Sequence, residues 1–469
     1  MLMVRNSMKL LLNDPATPNL VIDTKVVRKP KVCPPFVVRG YEGGARKMGT
    51  DIWRAAQTYC VILNTLHTMQ SAFIKPVSRW PRTRSLTIMP KAGMDLNAYY
   101  DGRSLRFFHA ADPVSRKMVH TAESVDIVAH EMGHALLDAI RPDLWNLQAL
   151  EVWSFHEAWS DMVAVLTVLR YETVMKHILE ETGGDLMKSN VVTRLAEEMG
   201  TTIYRYSKGK GGRRPGALRH ANNNFAYRPP EKLPRNAPHN KLARECHSFG
   251  RVFLGAYYEV FAKMYQFERE DGHSPIDAMK RTRSVTAKLL ARSAKLAPAT
   301  PRFYDAVART MIRLDEKWGG RYNSILKGVF NRRKILSRRS VKALTTVKLN
   351  DIDLDNNVVE ECNDGSKIVR VQSLKKTTLD SHYGVRAQAN NPLYACEIEI
   401  PNESYLEFDK NGNLVESIAT SERVAIDSAR ECIRYLHDED MVKDGEAKEG
   451  DFTRQFSVVD SKLVRNFFI

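Results

Sequence analysis

Residues 129–138 read AHEMGHALLD, and residues 157–161 read EAWSD. The first run places His130-Glu131-Met132-Gly133-His134 inside a stretch, Ser124 to Ile140, whose apolar residues recur at helical spacing and which stops before Pro142. Residues four apart share one face of a helix, so both imidazoles can converge on a single ion. Glu131 projects about a third of a turn away, close enough to address water beside that ion without displacing it.

A second helix is predicted over Trp153 to Tyr171, apolar nearly all round as a helix in the middle of a domain should be. It carries Glu157, 23 residues after His134, and a short connection would fold it back antiparallel to the first helix. Acidic residues on a buried apolar helix are costly unless paired or bound to metal. A catalytic zinc site needs a third protein ligand and an open fourth position, and Glu157 supplies the third. Asp161, four residues on and on the same face, can accept a proton from the outer nitrogen of a liganding histidine and so fix its tautomer.

These elements resemble the thermolysin family of gluzincin zinc metallopeptidases, whose HExxHxxxD and ExxxD patterns they match. Three further segments are similar to elements of that family and occur in its order. Asn97-Ala98-Tyr99-Tyr100 resembles its substrate-pairing edge strand, Ala217-Leu218-Arg219 its substrate-carbonyl arginine segment, and His247-Ser248-Phe249-Gly250 its catalytic histidine before a helix start. The similarity covers roughly residues 50 to 335. It implies an α+β, two-lobed fold with a β-rich N-terminal lobe and a helical C-terminal lobe.

It also implies one zinc ion on His130, His134 and Glu157, with Asp161 behind the ligands, Glu131 as general base and His247 as a second catalytic group. Substrate would meet Asn97, Ala98 and Arg219. Ile127 and Leu218 would flank the pocket for the residue after the scissile bond, favouring bulky apolar side chains there. The expected reaction is hydrolysis of peptide bonds in a peptide or protein substrate by an endopeptidase. The helix after Asp161 is apolar where the family has a calcium-binding glutamate, so structural calcium is not implied. Glu245 is the carboxylate closest in sequence to His247.

The chain has 469 residues, 43% hydrophobic and 27% charged, an ordinary globular composition long enough for several domains. Its longest strongly apolar stretch, Met162 to Leu169, is too short to span a bilayer, and the N-terminus makes a poor secretory signal. Six cysteines scattered without CxxC spacing point to free thiols and a cytoplasmic setting. Lys and Arg outnumber Asp and Glu by 71 to 55, but from Val341 onward 16 basic residues face 24 acidic ones. That sign change puts a boundary near residue 340. The expected organisation is 1–95 as the N-terminal β-rich part of the catalytic unit, 96–175 as the metal-binding helical segment with its edge strand, 176–340 as a helical lobe, and 341–469 as an appended acidic α+β domain. Asp351, Asp353 and Asp355 read as an acidic linker rather than a calcium loop.

Two rival readings differ in class. An aminopeptidase of the same fold would need a Gly-x-Met-Glu-Asn element to grip a free amino terminus, and none is present. A non-catalytic basic binding scaffold would have no physical use for Glu131. Nucleic acid is not an expected partner, because no nucleic-acid-binding motif accompanies the basic charge.

Overall fold

Thr50 starts the first long helix by accepting the Trp53 amide on its hydroxyl. In the computed structural model the described residues are 7–25, 27–43, 47–210, 213–337, 347–362, 364–371, 374–383, 385, 391–401, 403–419, 422–438, 441–444 and 456–465. They belong to a mixed α+β chain. Two compact units divide it: Met1–Ile140, His156–Phe225 and Pro234–Ala291 form one, and Arg141–Phe155, Ala226–Leu233 and Arg292–Ile469 the other.

In the first unit, β1 (Ser7–Leu11) pairs antiparallel with β2 (Val21–Lys25). The strands β3 (Phe36–Val38), β4 (Leu86–Met89), β5 (Ala98–Tyr100) and β6 (Ser104–Phe107) form one sheet in the order β3-β4-β6-β5. β5 is therefore an edge strand. Between β3 and β4 runs α1 (Asp51–Gln70), buried along most of its length. The N-terminal segment is thus built of short strands around one long helix. A second small hairpin pairs β7 (His109–Ala111) with β8 (Met118–His120).

Within the first unit, the segments after β8 are mainly helical. α2 (Val125–Ile140) is buried at nearly every position, and α3 (Leu150–Val168) contributes its residues from His156 onward to this unit. His130 meets Asp161 while His134 lies by Glu157, so the two helices run antiparallel. Gly133 makes the approach possible, because a Cβ there would lie 2.8 Å from the Cα of Ser160. α4 (Glu172–Thr182) leads to β9 (Arg194–Leu195) and α5 (Glu197–Ser207). β9 pairs with β10 (Arg219–His220), and Gly200 lets residues 216–218 cross against α5, since any Cβ there would collide with their backbone. α6 (Cys246–Glu270) and α7 (Pro275–Leu296) come next, and α7 ends in the second unit.

The second unit also holds α8 (Phe303–Lys317) and α9 (Asn323–Arg332). Its antiparallel sheet contains β11 (Val358–Glu361), β12 (Lys367–Val371), β15 (Ser404–Phe408) and β16 (Leu414–Ala419) in the order β11-β12-β15-β16, counting β13 (Leu374–Thr378) and β14 (Glu397–Pro401) between them in sequence. The latter two belong to a five-stranded sheet completed by β17 (Val442–Asp444), β18 (Phe456–Val459) and β19 (Lys462–Arg465), on which α10 (Glu422–Asp438) packs.

The expected boundary near 340 falls in 338–346, outside the described residues, yet both flanks belong to the same unit. A buried ion quartet shows why. Arg141 bonds Asp143 at 2.7 Å and Glu403 at 3.0 Å, and Arg370 bonds Asp143 at 3.2 Å and Glu403 at 3.1 Å. The charges balance, and separating the segments would strand them. The supposed acidic linker is also corrected. Ile352 and Leu354, alternating with its aspartates, pack with Leu349 on the core of Val369, Leu406 and Phe408.

Candidate metal centre

The candidate centre lies wholly in the first unit. α2 supplies His130, Glu131 and His134, and α3 supplies Glu157 and Asp161. Asp161 accepts His130 Nδ1 at 2.8 Å, so the proton sits on that nitrogen and the Nε2 lone pair faces the opposite way. His130 Nε2 and His134 Nε2 are 3.2 Å apart, and each lies by a different oxygen of Glu157, at 3.6 and 3.7 Å. Glu157 is 1% exposed, and neither carboxylate oxygen makes a hydrogen bond. A buried carboxylate in that condition normally costs several kcal/mol, unless something else satisfies it.

A cation fits. With bonds of about 2.0–2.2 Å, ligand atoms around a tetrahedral ion stand roughly 3.3–3.6 Å apart, close to the three separations found. His130, His134 and Glu157 are one of the groups able to hold a metal ion among the described residues. Glu157, Cys246 and His247 form a second such group, sharing Glu157. Nothing in the sequence marks Cys246, an isolated cysteine at a helix start. Its thiol is pushed up by burial and then by Glu245.

Electrostatics match the packing. Burial would raise the Glu157 carboxyl, but the imidazoles of His247, His134 and His130 outweigh it and hold the group well below its ordinary range. Burial pushes Glu131 up to about 7, opposed by His130 and reinforced by Glu157. For His130, burial lowers the affinity for a proton, yet Asp161 and Glu157 carry it up to about 9.

The remaining site residues are partly brought together. His247 lies in the first turn of α6 with its Nε2 3.4 Å from Glu157. Its Nδ1 is hydrogen-bonded to Glu245, whose carboxylate also accepts the His247 and Ser248 amides at 2.9 Å each and so caps the helix. Burial disfavours the His247 cation, but Glu157 and Glu245 hold it well above the ordinary range. Arg219, on β10, meets Asp161 with two nitrogens, Nε at 2.7 Å and Nη2 at 2.8 Å. The resemblance assigned it to the substrate; here that edge of the guanidinium holds Asp161, leaving the Nη1 side for anything else.

Ala98 begins the edge strand, and the Asn97 side chain accepts the Ala98 amide at 2.9 Å, with the Asn97 carbonyl tied to Phe108 and Thr121. Tyr100 donates to Asp138 at 2.8 Å, which joins the last turn of α2 to that strand. His156 stacks with its ring centroid 5.9 Å from that of His134. Ile127 is buried on α2. Leu218 lines a cavity of about 480 Å³ that also includes Arg213, Arg219, His239, His247 and Arg251.

All six cysteines are free thiols. No helix among the described residues is long and apolar enough to cross a membrane. Compared with protein-family models and with curated proteins, the chain matches none.

Proposed function

We propose that the chain is a zinc metallopeptidase, a two-lobed gluzincin of thermolysin type, and that it cleaves peptide bonds within its substrates. The Glu157 carboxylate carries this proposal. It is buried, its oxygens make no hydrogen bond, and imidazole nitrogens surround it at 3.4–3.7 Å. Two histidines and a glutamate are a ligand set of catalytic zinc, which leaves a fourth position for water or substrate, whereas structural zinc has four protein ligands and often thiolates.

Bound there, zinc would supply Lewis-acid polarisation and lower the pKa of water from about 16 to about 7. The chain's own residues do the rest. Glu131, on the helix that bears both histidines, takes a proton from the attacking water and holds it for the leaving amine. His247, fixed by Glu245, faces the carbonyl oxygen as negative charge develops on it. Asp161 and Arg219 keep His130 in the liganding tautomer. The edge strand β5 can pair with an extended substrate backbone.

The test is direct: purified protein assayed for metal by elemental analysis and incubated with a generic peptide library. About one zinc per chain with internal cleavages is the expected result. Protein that holds one zinc and cleaves no peptide would refute the peptidase.

A further inference from the structure

The cavity beside His247 carries an excess of basic side chains. Arg213, Arg219 and Arg251 line it against one carboxylate, Glu245, which already pairs with His247. A second cavity, of about 850 Å³, shares Arg213 and His239 with the first and adds Arg214, His220 and Lys241. The two therefore form a basic trough leading away from the candidate metal centre.

Arg251 anchors its charge. It is 6% exposed, and its acceptors are the carbonyls of His239, Lys241 and Ser248 and the Ser248 hydroxyl, all neutral oxygens. Arg219 is matched by Asp161, but Arg213, Arg214 and Lys241 stand over a wall with no acid besides Glu245. His239 registers the resulting field. Burial lowers its proton affinity, its bond to the Leu218 carbonyl raises it, and Arg251, Arg213 and Arg219 lower it further.

Resting on the peptidase reading, we propose that this trough selects substrates with acidic side chains, an Asp or Glu on the side of the scissile bond that enters past His247. A carboxylate there would find guanidinium donors in a partly desolvated setting, where charge-assisted bonds are strongest. A peptide suits the trough better than a nucleic acid. Neither cavity is lined by a Phe, Tyr or Trp on which bases would stack.

The experiment uses zinc-loaded full-length Glu131→Gln protein, which should bind without cleaving, and fluorescent peptides that differ only in carrying Glu, Ala or Lys on either side of a central apolar pair. The Glu peptides should bind about tenfold tighter than the Ala ones, with the margin shrinking as salt is raised. Arg213→Glu and Lys241→Glu should each remove the margin or invert it toward Lys. Lys176→Glu, the same charge change on α4, should preserve it. Equal affinities, a margin that survives Arg213→Glu and Lys241→Glu, or tighter binding of a short single-stranded RNA would each overturn the proposal. Library cleavage by the unaltered protein separates the two ideas. Cleavage without acid preference leaves the peptidase and removes the trough's role, while acid-selective binding without cleavage does the reverse.

Discussion

Asp161 is hydrogen-bonded to His130 Nδ1 at 2.8 Å, with both side chains buried, and this single bond decides which nitrogen of the imidazole is available to an ion. Arg219 holds both oxygens of Asp161, donating from Nε to Oδ2 and from Nη2 to the same Oδ1 that meets His130, so the carboxylate has little freedom to turn. Asp161→Asn keeps the shape but removes the charge, and lets the amide present a donor to Nδ1. Metal affinity should fall about 10- to 100-fold, measured by competition with a chromophoric chelator. Arg219→Ala should lower it less, since His130 keeps its acceptor. Unchanged affinity in Asp161→Asn would show that something else orients the ring.

Glu131 is buried on the same helix, one residue from His130, and makes no ligand of the metal group. Glu131→Gln should therefore hold its metal at full stoichiometry while kcat falls by about 10²–10⁴. The pairing of the two readouts matters. Loss of metal together with activity would make Glu131 a structural support of the site rather than its base.

Much of this arrangement is legible in the sequence because it depends on helix periodicity. The spacing of four between His130 and His134, and again between Glu157 and Asp161, fixes which side chains share a face before any packing is known. The predicted helix from Ser124 to Ile140 is found as Val125–Ile140. The start of α6 is less legible: the expected helix begins at Ser248, whereas it begins two residues earlier at Cys246, capped by Glu245. Glutamate is not a favoured capping residue, so only the geometry reveals it. The division into units is not legible at all. Net charge changes sign near residue 340, but Arg141 and Glu403, 262 residues apart, meet within one unit. The basic trough escapes for the same reason, since Arg213, Lys241 and Arg251 come from separate segments.

Gly133 should tolerate no side chain. A Cβ would meet the Ser160 Cα at 2.8 Å, inside backbone rather than against a flexible tip. Gly133→Ala should cost about 1–3 kcal/mol by overpacking, although alanine is the better helix former. Forcing α3 away would also spread His134 from Glu157, so metal affinity should fall along with the unfolding midpoint. Stability equal to or above that of the unaltered protein would mean the helices can separate freely.

Glu151 provides a pH test away from the metal. Burial pushes it up to about 7, against the lowering effects of Arg302, the Tyr227 hydroxyl and the Tyr304 amide. A folded-state pKa above the unfolded one means that stability is fully present below the unfolded value, 4.5, and is lost as pH rises through about 7. Glu151→Gln does not titrate. The stability of the unaltered protein relative to this variant should thus decline by up to about 3 kcal/mol between pH 4.5 and 8, measured by urea unfolding. A pH-independent difference would place the folded-state pKa near its ordinary value.

The buried quartet gives the last prediction. Arg141 and Glu403 are 0% and 1% exposed in their side chains, and Glu403 is the carboxylate shared by Arg141, Arg370 and the Ala299 amide. Glu403→Gln leaves two buried guanidinium groups facing Asp143 alone. Removing one partner from such a group typically costs about 3–5 kcal/mol, far more than loss of a surface pair. The expected sign is a lowered unfolding midpoint, with amide hydrogen exchange accelerated in β12 and around residues 297–303. A chain ending at residue 337 removes Arg370 and Glu403 together, stranding Arg141 beside Asp143. It should expose the apolar surface of the second unit, bind a hydrophobic dye and lose cooperative unfolding. If the shortened chain instead unfolds cooperatively at the full-length midpoint, the acidic segment is a separate module after all, and the quartet contributes nothing to holding the unit together.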